Sequence, residues 1–224
     1  MTGKRGEWTK LGKEKVLSSG LTTAQADALG MYEVVSAAQL DKNLEAKPAL
    51  VIPYYGTDKK PLASHPKWPN FYRIRYLGKD PIGFKELAGE KPQRYAQPAG
   101  SGVCAYFPRN ADWPVVAQDA EYDIIITEGE LKAAAACAAG LPTIGLGGVW
   151  NFRSSKEGVW WLPELASVNW ARRTVYVCFD NDYLSKPNVC LAINALMAEL
   201  QERGAYAKLL SLPESEEKIG LDDY

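Results

Sequence analysis

Two apolar runs, each followed at once by acidic residues, constrain the fold of this chain most strongly. Ile124–Ile126 leads into Glu128, and Val175–Phe179 leads into Asp180 and Asp182. The first run is entirely β-branched and the second mixes β-branched and aromatic residues, which is typical of strands that are buried in a sheet. In open α/β sheets, ligand sites lie beyond the carboxyl ends of parallel strands. If the two strands are neighbours, their acidic residues share one end of the sheet.

The order of segments from residue 123 onward predicts an α/β fold. Apolar periodicity and helix-ending glycines predict a strand at 123–128, a helix at 131–139, a short strand at 141–146, a helix at 162–170, a strand at 174–179, a helix at 188–203 and a last strand at 205–212. This alternation is the signature of a parallel sheet with right-handed crossovers, flanked by helices.

The first half of the chain has a different pattern. Residues 1–15 are polar and basic and are expected to form a linking segment. Two short helices are predicted over 16–40, with Thr22 or Thr23 capping the second; packing is favoured over a DNA-reading helix-turn-helix, because this segment carries little positive charge. A β-rich region is predicted over 49–107. We therefore expect an N-terminal helical and β-rich subdomain over 1–120 and a second domain over 121–224.

A local cationic stripe is predicted in the β-rich region. Residues 70–77 alternate as a strand does, which places Arg73 and Arg75 on one face, and Arg94 extends the stripe towards a glycine-containing loop at 97–102. Arginines interleaved with aromatic residues suit contact with single-stranded nucleic acid. An exposed hairpin without a ligand is the alternative interpretation.

Composition narrows the class of protein. The formal net charge is −1, so any affinity for a polyanion must come from a local patch. Four cysteines without a C-x-x-C spacing and a single histidine argue against a structural zinc site. No signal peptide or membrane-spanning run is visible. These features predict a cytoplasmic protein without a membrane partner, with Cys137 and Cys178 as buried reduced thiols.

Convergent carboxylates predict a metal site. Glu128, Asp180 and Asp182 at one end of a sheet would repel one another unless a hard cation lay between them. Mg²⁺ takes oxygen ligands of this kind and usually keeps waters and substrate phosphates as its other ligands. Asp222 and Asp223 add a further acidic pair near the end of the sequence.

Several motifs together resemble a known family. Glu128-Gly129 after one strand and Asp180-x-Asp182 after another resemble the Toprim domain, which bacterial-type primases, topoisomerases and related nucleases share. The resemblance is strongest from residue 123 and is closest to Toprim-like replication proteins of phages, plasmids and mobile elements. The segments that carry it are Thr127–Ala133, Gly145–Asn151, Gly220–Tyr224 and, upstream, Tyr95–Gly102.

The resemblance implies a function and a set of site residues. It implies a Toprim-like catalytic domain over 121–224 and a metal-dependent DNA primase-type nucleotidyltransferase, which makes short primers from NTPs or dNTPs on single-stranded DNA in a bacterial or phage-infected host cell. A replicative helicase, fused or separate, is an implied partner, and Mg²⁺ or Mn²⁺ the implied cofactor. The implied catalytic residues are Glu128, Asp180 and Asp182, with Asp222 and Asp223 as further metal ligands. The candidates for binding nucleotide or nucleic acid are Lys132, Arg73, Arg75, Arg94 and Arg153.

Two departures from the primase pattern keep other functions open. Lys132 stands near the position where bacterial and phage primases usually carry an acidic residue, and the chain has too few Cys and His residues for a zinc-ribbon template reader. One alternative is a Toprim-like module that binds nucleic acid without catalysis for an attached helicase. The other is a Toprim nuclease, which would use the same carboxylates to activate water.

Overall fold

Two β-sheets organise this α/β protein, as the sequence predicts. The structure is a computed structural model, and it describes residues 8–64, 68–78, 93–213 and 220–223. One sheet has the order β1-β2-β3-β4 and consists of β1 (Tyr32–Val34), β2 (Ala49–Pro53), β3 (Tyr72–Tyr76) and β4 (Tyr95–Ala96). The other has the order β5-β7-β6-β8-β9 and consists of β5 (Ala105–Tyr106), β6 (Ile124–Glu128), β7 (Thr143–Leu146), β8 (Thr174–Cys178) and β9 (Tyr206–Leu209).

The five-stranded sheet places the two acidic strand ends side by side. Strands β7, β6, β8 and β9 are parallel, and β5 pairs with β7 in the antiparallel direction. Strand β6 is central: Glu128 lies opposite Leu146 of β7, and Thr127 lies opposite Cys178 of β8. The two strands are therefore parallel neighbours, which is the condition under which their acidic residues were expected to share one end of the sheet. Residues 105–106, which we assigned to the N-terminal β-rich region, pair within this sheet, and the boundary between residues 120 and 121 stays a prediction.

Six α-helices surround the sheets in the described part of the chain. They are α1 (Lys10–Leu17), α2 (Thr23–Ala28), α3 (Trp113–Val116), α4 (Glu130–Ala138), α5 (Pro163–Ala166) and α6 (Pro187–Glu202). The long helix α6 buries Ile193, Leu196 and Leu200 at helical spacing, as predicted. None of the helices among these residues is both long and apolar enough to cross a membrane.

The N-terminal helices differ partly from the prediction. Helix α1 begins at Lys10, so residues 10–15 are helical and do not form the expected linking segment. Its N-cap is Thr9, whose backbone amide and hydroxyl also donate hydrogen bonds to the Glu33 carboxylate at 2.6 and 2.7 Å, which fixes the start of the helix to β1. Thr22 caps α2 as predicted, in a reciprocal capping box with Gln25.

One helix of the α/β half is shorter than predicted. A helix was expected over 162–170, but α5 ends at Ala166. The Asn169 amide donates to the Ala117 carbonyl at 2.8 Å, and the Trp170 indole donates to the Leu165 carbonyl at 2.7 Å. Because these tertiary partners replace the helical ones, the chain leaves the helix early.

Helix α4 links the two sheets. Its buried Leu131, Ala133 and Ala134 share a hydrophobic cluster with Leu50 and Ile52 of β2. The predicted alternation of β3 is confirmed, because Ile74 packs in a separate cluster on the opposite face of the small sheet from Arg73 and Arg75. The first turn of α4 and the arginine face of β3 therefore lie on the same side of the molecule.

Candidate functional site

A charged cleft lies at the carboxyl ends of β6 and β8. Its volume is about 390 Å³, and carboxylates and cationic side chains both line it. The acidic residues are Glu128, Asp180 and Asp222, joined by the buried Glu130; the basic residues are Lys15, Arg73, Arg75, Arg94 and Lys132. The fold therefore brings together most of the predicted site residues from both halves of the chain.

A glycine turn sets the geometry between β6 and α4. Gly129 has a φ of 105°, a conformation that side chains disfavour, and its amide donates to the Leu146 carbonyl at 2.8 Å. The chain thus passes from strand to helix within one residue. Glu128 stays half-buried at the rim of the cleft, and Glu130 turns into the interior.

Glu130 is a functional candidate that sequence reasoning missed. Its side chain is only 1% exposed and forms an ion pair with Arg73 of β3. The Tyr54 hydroxyl donates a 2.6 Å hydrogen bond to the same carboxylate. Burial, and then the negative charge of Glu130, raise the pKa of Tyr54 well above its ordinary value, so this hydroxyl remains a donor. Burial lowers the pKa of Arg73, but the interactions with Glu130 and Tyr54 together outweigh burial, so the net pKa is raised.

Unsatisfied donors line the cleft next to this ion pair. Arg73 and Arg75 both lie over the Tyr95 ring, with 5.4 and 4.9 Å between each guanidinium carbon and the ring centroid. The Nε atoms of both arginines are buried without a hydrogen-bond partner among the described residues, and so is the hydroxyl of Ser19. A buried unsatisfied donor costs about 1–3 kcal/mol. Three of them at one cleft are the arrangement that an anionic ligand would satisfy.

Lys132 occupies the acidic side of the cleft. Its ammonium forms an ion pair with Asp180, and the two side chains are only 19% and 5% exposed. A Cβ added to Gly220 would lie 2.7 Å from Lys132 Nζ and 2.9 Å from an Asp222 carboxylate oxygen. The ammonium is therefore close to both carboxylates, one after β8 and the other near the end of the chain.

The predicted cluster of three carboxylates is not present among the described side chains. After Asp180 the chain enters a 3-10 helix over Asn181–Ser185, and Lys186 Nζ contacts Asp182 Oδ2 at 2.5 Å. No group of three acidic, histidine or cysteine side chains in the described residues is placed to hold a metal ion. Two of the predicted ligands, Asp180 and Asp182, are already paired with Lys132 and Lys186, so the described side chains do not form the three-carboxylate site that the sequence predicts.

Two other predicted residues are not part of the described cleft. Arg153 lies over the rings of Trp150 and Trp160, at 4.4 and 5.4 Å from their centroids, and does not belong to the described lining of the cleft. The backbone of Asp223 ends a short 3-10 helix, but its side chain lies outside the described residues. The roles predicted for Asp182, Arg153 and Asp223 stay predictions.

Comparison with known proteins places the chain in a family. The family model described as a domain of unknown function, DUF3854, matches residues 112–224, which is just over half of the chain. The chain belongs to the DUF3854 family. A curated relative, an uncharacterized protein of Picosynechococcus sp., is 32% identical over 124 residues. That match covers 50% of this DUF3854 protein and 12% of the relative, so the chain spans only a small part of the relative's length.

Two solved structures share the fold of this DUF3854 protein. The zinc-binding and RNA polymerase domains of Aquifex aeolicus primase match with a TM-score of 0.59 and 15% identity, covering 96% of this chain and 52% of that one. The RNA polymerase domain of Mycobacterium tuberculosis primase DnaG, in complex with double-stranded DNA, matches with a TM-score of 0.60 and 11% identity, covering 98% and 70%. At these identities the likeness shows a primase-like fold.

Proposed function

We propose that this DUF3854 chain is a DNA primase-type nucleotidyltransferase, which makes short primers on single-stranded DNA. The observation that carries the proposal is the cleft itself, where carboxylates at the ends of parallel strands face a wall of cations from the other sheet. The likeness of the fold to bacterial primase domains supports it. The resemblance to the Toprim class suggests the same reaction.

The cationic wall would hold the phosphates of the incoming nucleotide. The unsatisfied donors of Arg73, Arg75 and Ser19 suit phosphate oxygens, and the anchoring of Arg73 by Glu130 pre-organises it. Phosphoryl transfer depends mainly on positioning and on electrostatic stabilisation of this kind. In the proposed step a hydroxyl oxygen bonds to the α-phosphorus, pyrophosphate leaves, and a carboxylate accepts the hydroxyl proton. Glu128, half-buried at the rim, is the proposed acceptor.

The template would approach from the side of the small sheet. Arg94 is exposed and precedes Tyr95, whose ring already faces two guanidinium groups. We accordingly propose residues 1–120 as the half that contacts the template and 121–224 as the catalytic half. The same proposal includes four further features, which rest on the resemblance to Toprim-like replication proteins. They are the use of NTPs or dNTPs, dependence on Mg²⁺ or Mn²⁺, a helicase partner, and a place in phage, plasmid or mobile-element replication.

Primer synthesis tests this function. The protein is incubated with single-stranded DNA, labelled NTPs or dNTPs and Mg²⁺ or Mn²⁺, next to Glu128→Gln and the control Glu121→Gln. Glu121 is an exposed glutamate before the opposite end of β6. Short labelled products from the wild type and Glu121→Gln, lost in a folded Glu128→Gln, are expected. No product from the wild type, or equal product from Glu128→Gln, would overturn the proposal.

A binding module without catalysis is the second candidate. The Lys132–Asp180 ion pair favours it, because it occupies a carboxylate that the primase reaction is expected to use. This candidate predicts affinity for single-stranded DNA without metal or nucleotide, no labelled product and intact DNA. A nuclease would instead shorten the DNA when metal is present without NTPs.

A further inference from the structure

A fixed positive charge already lies where a metal ion would be expected in this cleft. Lys132 reaches from the first turns of α4 to Asp180, and both side chains are largely buried. A carboxylate oxygen of Asp222 lies on the same side of Gly220 as the ammonium, because both atoms are within 3 Å of the position that a Cβ of residue 220 would take. The carboxylates at the acidic end of the cleft thus already have a cationic partner, which is a side chain of the protein itself.

The surrounding backbone is shaped around this lysine. A Cβ on residue 220 would lie 2.5 Å from Lys132 Cε and 2.7 Å from Nζ, so the glycine leaves the space that the end of the lysine fills. Gly220 is itself buried. The ion pair and the missing side chain are separate observations, and both indicate a place built for the ammonium.

We propose that Lys132 is a tethered cation that competes with divalent metal ions for Asp180 and Asp222. Two positive charges within a few ångströms repel strongly where water is partly excluded. A divalent ion can therefore bind these carboxylates only by displacing the ammonium or by overcoming its repulsion. The native protein should bind divalent ions weakly at this end of the cleft, and removal of the lysine charge should open a metal site. The inference rests on the proposed function only in taking this cleft as the site.

Mn²⁺ binding, measured without nucleotide by the electron paramagnetic resonance signal of the free ion, tests the inference. Lys132→Met removes the charge and keeps much of the length of the side chain, and it is expected to bind Mn²⁺ at least about tenfold tighter than the wild type, which corresponds to ~1.4 kcal/mol. Lys132→Gln is a second neutral variant, to be used if Lys132→Met does not fold. Its side-chain amide can still donate a hydrogen bond to Asp180. Lys132→Arg keeps the charge and should bind Mn²⁺ as weakly as the wild type.

Two controls place the effect at this site. The gain should disappear when Lys132→Met is combined with Asp180→Asn. Lys60→Met removes an exposed lysine that pairs with Asp58, outside the described lining of the cleft, and should leave Mn²⁺ affinity unchanged. Equal affinity in the wild type and both neutral variants, or a gain that survives the loss of the Asp180 charge, would overturn the inference.

The outcome is independent of primer synthesis. A gain in Mn²⁺ affinity together with no primer synthesis by the wild type would reject the proposed function and keep this inference. Primer synthesis by a wild type that binds Mn²⁺ as tightly as Lys132→Met would keep the proposed function and reject this inference.

Discussion

The guanidinium of Arg73, on the four-stranded sheet, forms an ion pair with the buried carboxylate of Glu130 in the first turn of α4. The pair crosses between the two halves of the chain, and Arg73 also lines the cleft. This ion pair therefore holds the two sheets together and also positions the Arg73 guanidinium, which is a proposed phosphate-binding group.

Loss of this pair should destabilise the protein. Glu130→Gln leaves the largely buried guanidinium of Arg73 without a compensating charge, and we expect the free energy of unfolding to fall by about 3–5 kcal/mol. Urea denaturation followed by circular dichroism measures the change. The matched control is Glu14→Gln, which breaks an exposed pair with Lys10 and should change the free energy of unfolding by less than about 1 kcal/mol. Equal losses in both variants would contradict the structural role of Glu130.

The buried Tyr54 should make stability depend on alkaline pH. Its pKa is raised in the folded state, first by burial and then by Glu130, whereas in the unfolded chain it titrates at about 10. Above about pH 10 the unfolded state therefore loses a proton that the folded state keeps, so this contribution to stability is complete below that pH and is lost as the pH rises. Tyr54→Phe should flatten the decline in unfolding free energy above about pH 10. Tyr122 is exposed, so Tyr122→Phe should leave the decline unchanged. A decline in Tyr54→Phe as steep as in the wild type would show that Tyr54 does not cause the alkaline loss of stability.

The cysteines should differ in reactivity. Burial raises the pKa of Cys137 to about 12 and that of Cys178 to about 11, and it also raises the pKa of Cys104, whereas Cys190 is only half-buried. The thiolate is the reactive form. A chromogenic disulfide reagent at neutral pH should therefore react first with Cys190, and Cys190→Ser should abolish the fast phase. A fast phase that survives this substitution would contradict the burial of the other three.

Affinity for single-stranded DNA should depend on the cationic wall. Arg75→Gln and Arg94→Gln should each weaken binding, and each should lower the slope of log affinity against log salt by about 0.7 if the side chain contacts one phosphate. Arg172→Gln is the matched control, because Arg172 is exposed in the turn before β8, at the opposite edge of the sheet. Fluorescence anisotropy at several salt concentrations measures both quantities. Equal effects of all three variants would show that the cleft has no special part in binding.

The close contact between β7 and the Gly129 turn should tolerate no side chain. A Cβ on Gly145 would lie 3.0 Å from the Gly129 carbonyl oxygen and 3.1 Å from the Ala133 Cβ, and neither atom can move freely. We expect Gly145→Ala to lower the free energy of unfolding by about 1–3 kcal/mol. Gly148→Ala, whose nearest neighbour would be 3.5 Å away, should be close to neutral in the same denaturation assay. Similar stability of the two variants would argue against a close contact between Gly145 and the Gly129 turn.

Local sequence signals predicted much of the fold. The β-branched run of β6, the core spacing of α6 and the Thr22 cap of α2 are short-range patterns, and each was found where it was expected. They could be read from the sequence because burial in a sheet or on one helix face imposes a fixed period on neighbouring residues. The adjacency of Glu128 and Asp180 followed from the same patterns, since the ends of parallel neighbouring strands meet at one edge.

The sequence alone determined the order of strands and helices and the edge of the sheet where charged groups meet. The tertiary structure decided which charges neutralise each other. Arg73 and Glu130 are 57 residues apart, and Lys132 and Asp180 are 48 apart, so neither pair leaves a periodic signal. Asp182, only two residues beyond Asp180, turns with a 3-10 helix towards Lys186. These ion pairs depend on where packing places α4 between the two sheets. The strength of electrostatic attraction depends on the distance between the charges in space and on their burial, and the spacing of residues along the chain specifies neither.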